Sequence, residues 1–108
     1  MVKKIINYSV GLYPCSVTIN GRWFVELEIS QYYQTKPGRS TVSDEKIREL
    51  VKQLDGQEKE KKTDKYYNFE PLYIGYRAYN LFWDYDDSPF TTTLIIIDCY
   101  REKKYDKK

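Results

Sequence analysis

Val17-Thr18-Ile19-Asn20-Gly21-Arg22-Trp23-Phe24-Val25-Glu26-Leu27-Glu28-Ile29 is the stretch on which the fold turns. Asn-Gly accepts the positive φ of a type I′ turn, and both flanks are rich in β-branched and aromatic residues. The stretch predicts a β-hairpin. Strict alternation along its second strand puts Trp23, Val25, Leu27 and Ile29 on one face. Arg22, Phe24, Glu26 and Glu28 then share the other, so one face is buried and one is wet. Upstream, Lys4 to Val10 reads as a further strand, and Gly11 to Pro14 as a loop.

Downstream, Gln31 to Thr41 is a polar connection containing Pro37-Gly38. A helix is predicted over about 43–55. Ser43 is a good N-cap, and Asp44 and Glu45 lie where the helix dipole favours acids. Val42 and Ile47 have the spacing of a hydrophobic staple. Ile47, Leu50, Val51 and Leu54 follow an i, i+3, i+4, i+7 pattern, and Gly56 suits the C-terminal cap. Gln57 to Lys65 is densely charged with mixed signs and reads as an exposed loop or frayed helix extension.

Tyr66 to Phe69 and Leu72 to Ile74 are short extended segments divided by Pro71, which argues for a break or an edge position. From Tyr76 to Tyr85 the pattern alternates, with Arg77, Tyr79, Leu81, Trp83 and Tyr85 on one side. Asp86-Asp87-Ser88-Pro89 is a turn cluster. The return strand, Thr91 to Tyr100, contains the continuous apolar run Leu94 to Ile97, which suggests a central strand covered on both faces. The expected architecture is one α+β domain over 1–108. Its single antiparallel β-sheet has four to six strands, an N-terminal hairpin and a C-terminal meander. One main α-helix packs on it, and a loose basic tail follows at about 102–108.

Composition narrows the chemistry. The 108 residues hold twelve Tyr and no His, which excludes imidazole-based triads, dyads, metal ligation and proton shuttles. Eighteen Lys+Arg against sixteen Asp+Glu leave a net charge of +2, short of a dedicated nucleic-acid binder's bias. Cys15 and Cys99 match no metal spacing and read as two small buried thiols. Asp84, Asp86 and Asp87 read as a solvated turn in preference to a metal site. No metal or other cofactor is expected. The basic N-terminus breaks quickly into polar residues, and no apolar stretch has membrane length, so a cytoplasmic protein without a membrane partner is expected.

Two segments carry a resemblance. Val25 to Lys36 through Ser43-Asp44-Glu45-Lys46-Ile47-Arg48-Glu49-Leu50-Val51-Lys52-Gln53-Leu54-Asp55-Gly56 is similar to a strand, a Tyr-x-x-Lys stretch and a helix ending in Leu-Asp-Gly. Gly75-Tyr76-Arg77-Ala78-Tyr79-Asn80-Leu81-Phe82-Trp83 to Ile97-Asp98-Cys99-Tyr100-Arg101 is similar to a closing pair of strands ending in Tyr-Arg. Both resemble small bacterial proteins of the RelE/ParE-type toxin fold, within the wider class of microbial ribonuclease toxins. The resemblance implies a metal-independent endoribonuclease or RNA-binding toxin homologue, with RNA or the ribosome as target and an antitoxin as partner. Where that family's pattern has His, this chain has Tyr32 and Pro37.

The chemistry can run without His. Attack of a ribose 2′-oxygen needs a proton acceptor, in-line geometry and cations on the developing phosphorane charge. The candidate catalytic residues are Arg77, Tyr100 and Arg101, which would lie close if the last two strands pair. Tyr32, Lys36, Tyr79 and Lys103 are candidate substrate-binding residues, because aromatics interleaved with cations suit stacking on unpaired bases. The alternative is a non-catalytic interaction protein of a virus or mobile element that binds a host protein or nucleic acid, and a homodimer is compatible with either reading. The Lys-, Tyr- and Ile-rich composition and the missing His favour that alternative.

Overall fold

The computed structural model describes residues 10–30, 42–61, 65–69 and 71–107. In chain order the elements are β1 (Val10–Ile19), β2 (Arg22–Ser30), α1 (Asp44–Lys52), β3 (Tyr67–Asn68), β4 (Leu72–Ile74), β5 (Arg77–Asp84) and β6 (Thr93–Arg101). A short 3-10 turn follows at Lys103–Tyr105. The six strands form one sheet in the order β1-β2-β6-β5-β3, with β4 beside β3 on the free side of β5. The α+β class holds, but the sheet is mixed and not purely antiparallel. β2 pairs with β6 in parallel, Leu27 opposite Leu94 and Ile29 opposite Ile96. A parallel neighbour needs a long crossover, here everything from α1 to β5, and local patterning carries no record of it.

The hairpin turn forms at Asn20-Gly21, with φ of 57° and 76° respectively. Its face assignment is corrected. Phe24, Leu27 and Ile29 are buried, while Trp23 is 60% exposed and Val25 37%. The Val25 and Glu26 amides both donate to the Thr92 carbonyl, at 3.0 and 3.2 Å, and the β1–β2 register slips between Pro14 and Val17. This irregularity breaks the two-residue alternation, so the inward face switches parity between Phe24 and Leu27. Gly11 to Pro14 is strand, not loop, and Pro14 is tolerated because β1 ends the path of paired strands. The strand expected over Lys4 to Val10 and the connection Gln31 to Thr41 fall, apart from Val10, outside the described residues.

Helix α1 forms where its caps place it. Ser43 Oγ accepts the Lys46 amide at 3.2 Å. Val42, Ile47, Leu50 and Leu54 are fully buried and join Val51 in the core, so both members of the staple are inside. The helix proper ends at Lys52, and Gly56 turns the chain with φ +84°. The described part of the charged stretch, 57–61, then runs along the sheet and not on as helix. The Gly56 amide bonds the Thr18 carbonyl at 2.7 Å, the Lys59 amide bonds Asn20 Oδ1 at 2.6 Å, and Lys61 pairs with Asp84 at 3.2 Å.

The core lies between α1 and the inward sheet face, where Ile19, Phe24, Leu27, Ile29, Leu81, Trp83, Leu94 and Ile96 meet the helix residues. Each such side chain contributes about 1.5–3 kcal/mol on burial. Much of the Tyr excess is packing. Tyr67 stacks on Trp83 with centroids 4.5 Å apart and on Tyr85 at 5.2 Å, and Tyr79 is 1% exposed. β6 is central, as its apolar run implies, yet Ile95 and Ile97 on its outer side are only half-buried. Ile97 is an extra residue in the β5–β6 ladder, since Phe82 pairs with Asp98 and Trp83 with Ile96. Cys15 is half-buried, Cys99 is buried, and no disulfide joins them.

Candidate functional site

The β5–β6 ladder sets the geometry of the candidate residues. Tyr79 lies opposite Arg101, and Asn80 opposite Tyr100. Successive side chains alternate across a sheet, so Arg77, Tyr79 and Arg101 share the α1 side, and Tyr100 faces the other way. There Tyr100 stacks on Phe82, with centroids 5.8 Å apart. The strands pair as the sequence reading required, but they bring together Arg77 and Arg101 and carry Tyr100 to the opposite face. Tyr32 and Lys36 lie outside the described residues.

Arg77, Tyr79, Arg101, Glu102, Lys103 and Lys104 line an open basin of about 770 Å³, and Lys46 of α1 closes its far side. Lys46 was given no role by the sequence reading, and Lys104 entered it only within the run Tyr100-Arg101 to Lys103-Lys104-Tyr105, whose aromatics and cations suit stacking on bases. Lys46 sits on the polar face of an amphipathic helix, and only the packing of that helix over the strand ends aims it here. Of these five cations, Arg101 alone pairs with a described carboxylate.

Arg101 grips Asp106 in a two-bond fork, Nη1 to Oδ1 at 2.8 Å and Nη2 to Oδ2 at 3.0 Å. Asp106 Oδ1 also accepts the Ala78 amide at 2.7 Å. These bonds hold the Asp106 carboxyl below its ordinary pKa, chiefly through Arg101 and then through Ala78. The segment expected to be a loose tail is thus fastened. The Glu102 amide donates to the Ala78 carbonyl and the Lys107 amide to the Tyr76 carbonyl, both at 2.9 Å, and Tyr73 OH donates to the Tyr105 carbonyl at 3.0 Å.

Arg77 stays exposed at the rim. Its Nε donates to Tyr76 OH at 3.4 Å, and its guanidinium lies 5.6 Å from that ring's centroid. The Tyr76 hydroxyl, and secondarily that of Tyr79, push the Arg77 pKa up, so the group is a permanent cation. The Arg101 guanidinium lies 5.6 Å from the Tyr79 ring centroid. Tyr79 therefore sits between two guanidinium groups at the floor of the basin. Among the described residues no group of three or more His, Cys, Asp or Glu could hold a metal ion. The acidic turn is structural: Asp86 Oδ1 accepts the Ser88 amide at 3.0 Å, and the Ser88 carbonyl accepts from Arg22 at 2.7 Å.

Chemically, such a basin suits an extended polyanion, because several cations are spread along an open floor and do not converge on one point. The fold and site together define a small α+β protein with a cationic basin at the strand ends of a mixed sheet. No protein-family model, curated protein or solved structure matches the chain. Among the described residues no helix is long and apolar enough to cross a membrane.

Proposed function

We propose that the chain is a RelE/ParE-like, toxin-type RNA-binding protein whose basin seats the RNA phosphate backbone. The observation that carries this reading is the row of Lys46, Arg77, Lys103 and Lys104 lining one open basin with Arg101. Phosphate oxygens are the natural ligand of such a set, and Arg77 offers a planar donor fork for one of them. In the active form of this reading the protein is a metal-independent endoribonuclease. Arg77 then stabilises the phosphorane charge, and the buried Tyr79 helps hold its guanidinium in place. Arg101 positions Tyr79 from beneath, its own fork being occupied by Asp106.

A second reading is supported by the opposite side of the hairpin. Leu12, Trp23 and Val25 are 58%, 60% and 37% exposed, and Leu12 and Val25 line a shallow groove with Pro14 and Thr92. Exposed apolar surface of this kind suits a non-catalytic factor that binds an antitoxin or host protein. Induced expression in a bacterial host separates the two. Growth arrest with cleaved RNA, relieved by Arg77→Ala, supports the ribonuclease. No arrest, with intact RNA and no RNA affinity in the purified protein, removes it and leaves the interaction factor.

A further inference from the structure

A separate cavity of about 330 Å³ lies between β1 and α1, and none of its lining residues lines the cationic basin. It opens where the β1–β2 ladder slips. Pro14 pairs with Glu26 and Val17 with Phe24, so Cys15 and Ser16 together face the single residue Val25. Such a bulge bends its strand, and bulges recur beside functional sites. The walls are apolar: Val17, Leu27 and Val51 are almost fully buried, and Pro14 adds a fourth apolar side chain. The rim is cationic. Arg48 and Lys52 both line the cavity and stand one helical turn apart on α1, both exposed. Arg48 pairs with no described carboxylate, and its guanidinium lies 4.6 Å from the Tyr13 ring centroid. Among the described carboxylates Lys52 meets only Glu49, at 3.7 Å and largely in solvent, a pair that yields at little cost.

An apolar chamber with two cations at its rim suits a ligand with an aliphatic chain and an anionic head. The chain gains by leaving water, and the head by meeting Arg48 and Lys52. Volume limits the chain. The cavity stands at the small end of the roughly 300–1,000 Å³ typical of ligand sites. An apolar cavity of about 150 Å³ already admits benzene, so twice that volume takes a chain of roughly eight carbons. We propose that this cavity binds medium-chain aliphatic carboxylates, with Arg48 and Lys52 holding the carboxylate at the rim and Val17, Leu27 and Val51 receiving the chain. The site is independent of the RNA reading of the basin. Cys15 lines the same cavity and is half-buried, so its thiol reports whether the cavity is filled.

Calorimetric titration with butyrate, hexanoate and octanoate, each below its micelle concentration, tests it. Affinity should rise by up to about fourfold per added methylene. Octanoate should bind more tightly than 1-octanol, and octylammonium should bind most weakly of the three. Octanoate should also slow the alkylation of Cys15 by iodoacetamide, followed by mass spectrometry in mildly alkaline buffer because burial pushes that thiol's pKa up. Cys99, fully buried, is the unlabelled control. The double variant Arg48→Ala with Lys52→Ala changes two exposed side chains, and it should weaken octanoate about three- to tenfold while leaving 1-octanol unchanged. Should that variant fail to fold by circular dichroism, the octanoate-to-octylammonium comparison in the wild type decides the same point. No octanoate binding, affinity independent of chain length, octylammonium binding as tightly as octanoate, or Cys15 alkylation unchanged by octanoate overturns the site. A folded double variant that holds octanoate as tightly as the wild type overturns the part assigned to Arg48 and Lys52, and the carboxylate preference with it.

Discussion

Arg101 and Asp106, five residues apart, close a two-bond fork that fastens the C-terminal segment across the end of β5. The same carboxylate caps the Ala78 amide, so one side chain fixes both a strand end and the wall of the basin. Lys103 and Lys104 are carried on the fastened segment, so the shape of the cationic floor depends on this pair.

Asp106→Asn should therefore free the segment after Arg101. Amide exchange at Ala78, Glu102 and Lys107 should accelerate while the β2–β6 core stays protected. The pH dependence has a definite sign. The folded pKa of Asp106 is depressed below its ordinary 3.8, so its contribution is complete above that value and is lost as pH falls through the folded value. An acid titration followed by exchange should show the tail releasing only below the ordinary carboxylate range, and the variant should show no such step. Release at pH 5 would contradict the fork.

Arg77→Ala should weaken RNA binding several-fold and lower the slope of log affinity against log salt by about one, the loss of one phosphate contact. Arg77→Lys should restore the slope more than the affinity, because the ammonium replaces the charge and not the fork. Fluorescence anisotropy at several salt concentrations measures both. An unchanged slope in Arg77→Ala would remove Arg77 from the site.

Tyr67 is buried against Trp83 and its hydroxyl donates to Tyr85 OH at 3.2 Å, so burial first and that bond second raise its pKa above 10.0. An acid whose folded pKa is raised stabilises the fold fully below its unfolded value and loses that contribution as pH rises above it. The urea midpoint should fall between about pH 10 and 12, and Tyr67→Phe should flatten the fall. Parallel curves for the two proteins would exclude Tyr67 as the cause.

Gly11 lies against the contact that joins β1 to α1. A Cβ there would come within 2.8 Å of Tyr13 Cε2 and 2.9 Å of Asp44 Oδ2, while Tyr13 OH donates to Asp44 and Arg48 stacks on the Tyr13 ring at 4.6 Å. Gly11→Ala should destabilise the protein by about 1–3 kcal/mol through this crowding. Leu50→Ala, by contrast, empties a fully buried site and should cost about 2–5 kcal/mol. Thermal or urea unfolding ranks the two. A Gly11→Ala protein as stable as wild type would show that Tyr13 can yield.

Local chemistry determined the parts of this protein. Asn20-Gly21 makes its turn, Ser43 and the Ile47, Leu50, Val51 and Leu54 spacing make the helix, and Pro71 divides β3 from β4. Each depends on interactions within a few residues, so each is legible in one dimension. Arg77, Tyr79 and Arg101 were legible for a related reason, since a close antiparallel pair brings its paired residues onto one face. The tertiary structure alone decided the rest. Packing of α1 brings Lys46 to the basin, the Arg101–Asp106 fork carries Lys103 and Lys104 there, and β-sheet alternation sends Tyr100 to the far side. The parallel pairing of β2 with β6 and the shift of inward face between Phe24 and Leu27 depend on contacts from Thr92 to Ile96, more than sixty residues downstream. Pairings so distant follow from the energy of the whole sheet, and no short stretch of sequence carries them.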